Sequence, residues 1–311
     1  MPQTLLIFFF IMTGGALWNN IPQLPPGTKV RALINPLVLN LLLPLLVYRA
    51  FVLTPLHTEI WKIPVAAALG CMITLLITAG LLHLIEKKFR RKIDRPAKGA
   101  LLLAAAWGNV TYLGIPLLTS WIGEKAQMLA VLYDLAALSP LLFVVGAEIG
   151  RRLGADQSPS KTYAPLGAIL RLPPLWAALA GVASLESGLS AWLPSWILQL
   201  CKGAAMCVGP LMIFSVGLAL RIPKSRRLLL MAPAVFSKLV VSPLIVYGLS
   251  RSFALSGDYL RAETLEAAMP TMVLTLVISE RFKLDTELLA QCIAVSTLLA
   301  FILLPLVNAL L

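Results

Sequence analysis

Charged residues are scarce in this 311-residue sequence. They make up 13% of the chain, whereas residues of the hydrophobic set make up 59%. Soluble proteins carry roughly twice that share of charge, about 25%. The shortage of charge excludes an ordinary soluble fold. It indicates an all-α membrane protein, because many windows of about 20 residues are apolar enough to cross a bilayer.

Histidine and cysteine are also scarce, with two and four residues. None of them has the spacing of metal ligands, and the cysteines all fall in apolar segments, where they are expected to pack as small apolar side chains. The sequence lacks the short motifs of hydrolases, metalloproteases and nucleotide-binding enzymes. We therefore predict no enzyme activity, no cofactor and no metal site.

Acidic residues are outnumbered by lysine and arginine, 14 to 26. The excess does not indicate nucleic-acid binding, because the basic residues cluster in short loops between apolar segments. Such clustering is typical of cytoplasmic loops under the positive-inside rule. Most of these residues follow odd-numbered apolar segments, so both termini are predicted to face away from the cytoplasm.

Ten apolar segments are long enough to span the membrane. They cover approximately residues 3–18, 30–53, 60–85, 99–122, 126–150, 163–185, 191–220, 228–254, 261–282 and 285–310. Five spans fall in residues 1–150 and five in residues 151–311. Because five is odd, the second half enters the membrane from the opposite side, so two related halves form an inverted repeat.

Two of the spans carry a proline where a membrane helix is expected to be continuous. The fourth span is interrupted around residues 108–116 and the ninth around residues 267–271. Proline removes a backbone donor and frees a carbonyl group one turn back. In hydrocarbon such groups need a partner from protein, water or a bound molecule. Interrupted spans at matching positions in two halves are typical of a transporter's binding site.

The residues at the two breaks are predicted to bind the substrate. They are Asn109, Thr111, Gly114 and Pro116 in the fourth span, and Pro270 and Thr271 in the ninth. If the half-helices meet, their N-terminal ends offer amide donors to an anion. For Asn109, an interhelical hydrogen bond is the alternative interpretation.

Two charged residues lie deep within other spans, Asp134 in the fifth and Lys238 in the eighth. A charge at such depth costs about 2.5–3.5 kcal/mol and usually marks function, so we predict a role in proton or ion coupling. Lys238 has an alternative, in which its long stem carries the ammonium group to the interface. Glu148 and Glu266 fall near span ends, where solvated carboxylates are expected.

Several stretches resemble the auxin efflux carrier family. The run Gly108-Asn109-Val110-Thr111-Tyr112-Leu113-Gly114-Ile115-Pro116-Leu117 is similar to the family's Gly-Asn-Thr-Gly-Phe-Leu-Gly-Ile-Pro-Leu signature. The run Ala267-Ala268-Met269-Pro270-Thr271 resembles its second crossover. The first break departs from the signature because Val110-Thr111-Tyr112 replaces Thr-Gly-Phe, which makes it less rich in glycine.

The resemblance implies ten spans in two inverted five-helix repeats with broken crossover helices 4 and 9, as in sodium/proton antiporters and bile-acid symporters. Spans 1, 2, 6 and 7 then form a scaffold, often dimeric, and spans 3–5 and 8–10 a mobile transport domain. The implied function is secondary transport of small organic anions, such as malate, malonate or auxin-like acids, by an elevator mechanism. The compact loops favour a bacterial-type member in the inner membrane, with periplasmic termini and a homodimeric state.

Two alternatives stay open. One is a sodium-coupled symporter of the bile-acid type, although the breaks offer few oxygen ligands for sodium. The other is a membrane sensor or scaffold that transports nothing.

Overall fold

The computed structural model describes residues 2–54, 59–90, 92–155, 165–220 and 225–311. Within these ranges the regular structure is helical, and the only β-type pairing is one isolated bridge. The prediction of an all-α protein is confirmed. Segments 156–164 and 221–224, which carry some of the basic residues behind the orientation prediction, lie outside the described residues.

Thirteen α-helices are distinguished in the described ranges, besides the short 3₁₀ helix Leu189–Trp192 and the π-turn Val110–Gly114 that precedes α5; the other π-turns are counted as part of the helix that contains them. They are α1 (Pro2–Trp18), α2 (Gly27–Leu53), α3 (Lys62–Phe89), α4 (Arg95–Ala106), α5 (Ile115–Trp121), α6 (Ala126–Leu153), α7 (Pro165–Leu170), α8 (Pro173–Glu186), α9 (Ser195–Ala219), α10 (Arg227–Ser252), α11 (Gly257–Ala267), α12 (Thr275–Phe282) and α13 (Thr286–Leu310). Among them α2, α3, α6, α9, α10 and α13 are each long and apolar enough to cross a membrane.

Proline explains most of the widened turns in these helices. A proline ring inside a helix clashes with the carbonyl group one turn earlier, and a π-turn relieves that clash by widening the helix. Four π-turns stand directly before a helical segment whose second residue is proline. They are Val38–Leu42 before Pro44, Val110–Gly114 before Pro116, Asp134–Leu138 before Pro140 and Ser237–Val241 before Pro243.

The helices pack in two groups. In the first, α1 packs against α9, and α8 packs against the second half of α2, which also contacts α9. In the second, α10 contacts α3, α11 and α13, while α4 contacts α3 and α13, and α6 contacts α11. The groups meet at several places, among them where α9 lies against the Val110–Gly114 turn and where the second half of α2 lies against the start of α6. The broken span is therefore placed at the boundary between them.

Large apolar side chains cover much of the outside. Phe10, Leu229 and Ile302, for example, are 70%, 86% and 64% exposed. In water such a surface is unfavourable, whereas in a bilayer it lies against hydrocarbon. The exposed face thus fits a multi-pass membrane protein.

Candidate functional site

The two broken spans meet through their main chains. The N–H group of Asn109 donates to the carbonyl oxygen of Pro270 at 2.7 Å, and the N–H group of Met272 donates to the carbonyl oxygen of Trp107 at 2.9 Å. Together these bonds form the isolated antiparallel bridge. We call this main-chain junction the crossover. The breaks at the two matching prolines therefore lie at one point.

Thr271, which pairs with Gly108 in the bridge, is held from both sides. Its hydroxyl group donates to the carbonyl oxygen of Ala104 near the end of α4 at 2.8 Å. Its N–H group donates to the hydroxyl oxygen of Ser296 in α13 at 3.1 Å. The Thr271 side chain thus satisfies a carbonyl group beside the first break, and its contact with a substrate stays a prediction.

Asn109 has an unused donor. The residue is 2% exposed, and its side-chain Nδ2 finds no hydrogen-bond partner among the described residues. Buried polar atoms are nearly always paired, so an unpaired one needs an explanation. Asn109 lines a small cavity with Tyr112 and Thr297, between the crossover and helices α1 and α9. The volume of this cavity is about 10 Å³, which is room for about one water molecule, so a carboxylate could reach the donor only in another conformation.

Asp134 is buried in the π-turn of α6, and both of its carboxylate oxygens have donors. The hydroxyl groups of Thr111 and Ser139 donate to it, the latter at 2.7 Å. Thr111 therefore ties the first break to α6, and its hydroxyl group is used within the protein. The predicted roles of Thr111 in substrate binding and of Asp134 in coupling stay predictions.

Lys238 is 1% exposed, so the alternative that its stem carries the ammonium group to the interface is wrong. Its Nζ donates to the carbonyl oxygen of Ala267 at 2.6 Å and to the hydroxyl oxygen of Ser242 at 3.3 Å. Because Ala267 ends α11, the ammonium group lies at the negative end of that half-helix's dipole. Lys238 therefore holds the first half of the broken ninth span.

Glu266 is also buried, at 1% exposure, so the expectation of a solvated carboxylate was wrong. The helix α11 begins at Gly257, earlier than the predicted span, and Glu266 is its second-to-last residue. The carboxyl group lies directly against Gly114 of the first break. A methyl group added at that glycine would overlap both of its oxygens. For Glu148 the expectation of a solvated carboxylate was right, since its half-exposed side chain pairs with Arg151 at 2.7 Å.

A cavity of about 340 Å³ reaches the first break from another side. Its volume falls in the usual range for small-molecule sites, about 300–1,000 Å³. The lining brings together residues from both helix groups, among them Arg49, Pro116, Glu124, Gln127, Lys202 and Gly209. No sequence pattern indicated this site, because its residues come from α1, α2, the α5–α6 region and α9, which are distant along the chain.

Two cationic side chains face this cavity. Arg49 is only 6% exposed, and its Nη2 lies 2.7 Å from Oε2 of Glu124. The Glu124 side chain is 55% exposed, which places it at the mouth of the cavity. With Lys202 also in the lining, the ionised side chains of the three residues leave one positive charge in excess.

A larger groove of about 770 Å³ lies between α1 and α13. Its lining is almost wholly apolar and includes the exposed side chains of Leu6, Phe9 and Ile302. Such a groove faces the hydrocarbon of a bilayer. The cavity beside Pro116 is therefore the better candidate for a polar cargo.

Comparisons with known proteins agree with a membrane transport role. A family model described as membrane transport protein matches residues 3–308. The chain is 30% identical over 284 residues to an uncharacterized transporter of Methanothermobacter thermautotrophicus, which covers 90% of this chain and 89% of the relative. It is 26% identical over 242 residues to an uncharacterized transporter of Methanocaldococcus jannaschii, which covers 77% of this chain and 75% of that relative.

Proposed function

Because the chain belongs to the membrane transport protein family, that of the auxin efflux carriers, we propose that it is a secondary transporter of small organic anions. The observation that carries this proposal is the cavity that ends at Pro116 and is lined by Arg49 and Lys202. A buried guanidinium group binds a carboxylate through strong, charge-assisted hydrogen bonds. The excess of one positive charge favours an anion over a cation or a neutral molecule.

The first break borders two separate cavities, the one beside Pro116 and the small one beside Asn109. The unpaired Nδ2 of Asn109 offers a further donor near the point where the broken spans meet. The second halves of these spans, which begin at Val110 and Thr275, turn their N-terminal ends toward the same region. Helix N-termini favour negative charge, so their orientation supports an anionic cargo.

The fold supports an elevator mechanism. Six helices are long and apolar enough to cross a membrane, and the proposal adds the shorter α1 and α8 and the broken pairs α4–α5 and α11–α12 to reach the ten crossings of two inverted repeats. The packing of α1, α2, α8 and α9 against one another supports our proposal of a scaffold formed by spans 1, 2, 6 and 7, with the second helix group as the transport domain. The cavity lies between the two, where sliding of one group past the other changes its access.

The proposed setting is the inner membrane of a bacterium, with a homodimer as the assembly. If both termini face the periplasm, α2 ends on the periplasmic side with Arg49 near that end. The cavity mouth at Glu124 then opens to the periplasm. In this orientation the conformation described is the outward-facing one.

The test is a thermal-shift screen of the purified protein against mono- and dicarboxylates, including malate, malonate and indole-3-acetate. A cargo that binds only the folded state raises the midpoint of unfolding in proportion to the logarithm of its concentration. The increase is expected for the wild type and should be much smaller for Asn109→Ala. Asn40, an exposed asparagine of α2, provides the matched control Asn40→Ala. Equal shifts in all three proteins would place the binding site elsewhere.

Uptake into proteoliposomes separates transport from binding and tests the coupling ion. Accumulation or counterflow of the stabilising carboxylate is expected without ATP. It should persist when sodium is replaced by potassium. A strict sodium requirement would favour the symporter of the bile-acid type instead, and binding without counterflow would favour a sensor.

A further inference from the structure

Glu266 differs from Asp134 in how its carboxylate is bonded. Both groups are buried in the interior of the second helix group, at 1% and 5% exposure. Asp134 accepts hydrogen bonds from two hydroxyl groups, whereas neither oxygen of Glu266 has a hydrogen-bond partner within the described ranges. An ionised carboxylate without donors in a low-dielectric interior costs several kcal/mol. The neutral carboxylic acid is therefore the form that fits this conformation.

The position of Glu266 connects it with the substrate site. Its carboxyl group lies against Gly114, in the same π-turn that follows Asn109. Any larger residue at position 114 would occupy the space that the carboxyl group fills. A charge on Glu266 therefore changes the electrostatic potential within the first break, at the residues proposed to hold the cargo.

The charges around Glu266 limit what it can do. The titratable groups that interact with it are Glu263 on its own helix, Asp134 and Tyr133 from α6, and Lys238 from α10. Cys71 from α3 interacts in turn with Lys238 and Tyr133. Lys238 bonds the carbonyl oxygen of Ala267, the residue after Glu266, rather than the carboxylate itself. Among the described residues Lys238 is therefore the one cation that interacts with Glu266, and it gives the carboxyl group no hydrogen bond because its Nζ bonds to Ala267 and Ser242.

We propose that Glu266 takes up and releases one proton in each transport cycle, so that the organic anion moves together with a proton. This inference rests on the proposed function. In the protonated form, the neutral carboxyl group leaves the crossover free of excess negative charge, and the cargo carboxylate can bind beside it. When the O–H bond breaks, the proton passes to water and the remaining carboxylate repels the anion. Protonation thus favours binding, and deprotonation favours release.

The first experiment does not need a cargo. Infrared spectra of the purified protein in lipid are recorded across a pH series, and the carbonyl stretch of a protonated carboxylic acid is followed. One oxygen of the buried Glu263 also lacks a partner in the described residues, so the signal of Glu266 is the titrating component of the band that is present in the wild type and in Glu263→Gln and absent from Glu266→Gln. Glu263 is the matched control because it is buried on the same helix. A band that disappears in Glu263→Gln or Asp134→Asn and persists in Glu266→Gln would overturn the proposal.

The second experiment measures coupling, with malate as the probe and malonate and indole-3-acetate in parallel. In proteoliposomes, wild-type uptake is expected to rise several-fold when the outside is made more acidic than the inside. Glu266→Gln should keep counterflow and lose the response to the gradient, whereas Glu263→Gln should respond as the wild type does. An unchanged response in Glu266→Gln would overturn the proposal. If the wild type carries none of the three anions, the proposed function fails, while the infrared titration still tests the proton on Glu266.

A third measurement covers the case in which Glu266→Gln does not fold. A hydrophobic carbodiimide reacts with protonated carboxyl groups inside membranes, and mass spectrometry locates the adduct on the wild-type chain. An adduct on Glu266 that decreases as the pH rises would support the proposal. Adducts confined to Glu263 or Asp134 would contradict it.

Discussion

Pro116 of the first break packs directly against Gly209 of α9. A methyl group built on Gly209 would lie 2.9 Å from Cγ of the proline ring, which is closer than real contacts allow. The missing side chain at residue 209 is therefore what permits the approach. In the proposed mechanism this contact joins the transport domain to the scaffold, at a place where the two must slide.

Gly209→Ala is expected to slow transport several-fold. The added methyl group forces the Pro116 ring to move, and overpacking of this kind typically costs about 1–3 kcal/mol. The rate of carboxylate counterflow in proteoliposomes measures the effect. Gly203→Ala is the matched control on the same helix, because open space surrounds that glycine. Equal rates for the two variants would show that the contact does not limit the movement.

Arg49 and Glu124 are expected to have opposite effects on cargo affinity. Their ion pair occupies the guanidinium group at 2.7 Å, so a cargo carboxylate competes with Glu124 for it. Glu124→Gln should therefore tighten binding, and Arg49→Gln should weaken it. Hydrogen bonds to charged groups contribute about 1.5–3 kcal/mol, so the weakening should be roughly tenfold or more. Titration calorimetry at two salt concentrations provides the measurement. Weaker binding in both variants would mean that the pair only holds the structure together.

Thr111→Val is expected to destabilise the protein in the absence of cargo. The substitution keeps the shape of the side chain and removes a donor to the buried carboxylate of Asp134. The loss should be about 1.5–3 kcal/mol, observed as a lower unfolding midpoint in detergent. Thr111→Ser retains the hydroxyl group and should restore most of the stability. An unchanged midpoint in the valine variant would contradict the hydrogen bond.

The meeting of the two breaks was predictable because its signal is local. Each break has a proline within an apolar run, and the first break also contains Asn109. The burial of Glu266 was missed because depth was counted from the apparent start of the ninth span. The helix starts earlier, at Gly257, and stops just after Glu266, so a position that looked peripheral lies at the interruption.

Proline alone does not indicate whether a membrane helix breaks or only widens. Pro140 follows a π-turn inside the continuous helix α6, whereas Pro116 follows a π-turn that comes after a true interruption. The neighbours decide the outcome, because residues 107–109 adopt extended or irregular backbone and bond to the other break instead of continuing the helix. The ion pair of Arg49 with Glu124 had no sequence signal, since it joins a residue of α2 to one in the turn between α5 and α6, which are distant along the chain.

The crossover is built from peptide groups that every amino acid supplies, apart from the N–H group that proline lacks. Asn109 and Met272 contribute N–H groups to it, and Trp107 and Pro270 contribute carbonyl groups. Most substitutions at these positions therefore keep the main-chain hydrogen bonds of the crossover. Side chains that choose the cargo can therefore be exchanged without removing the main-chain bonds that bring the two halves of the chain together.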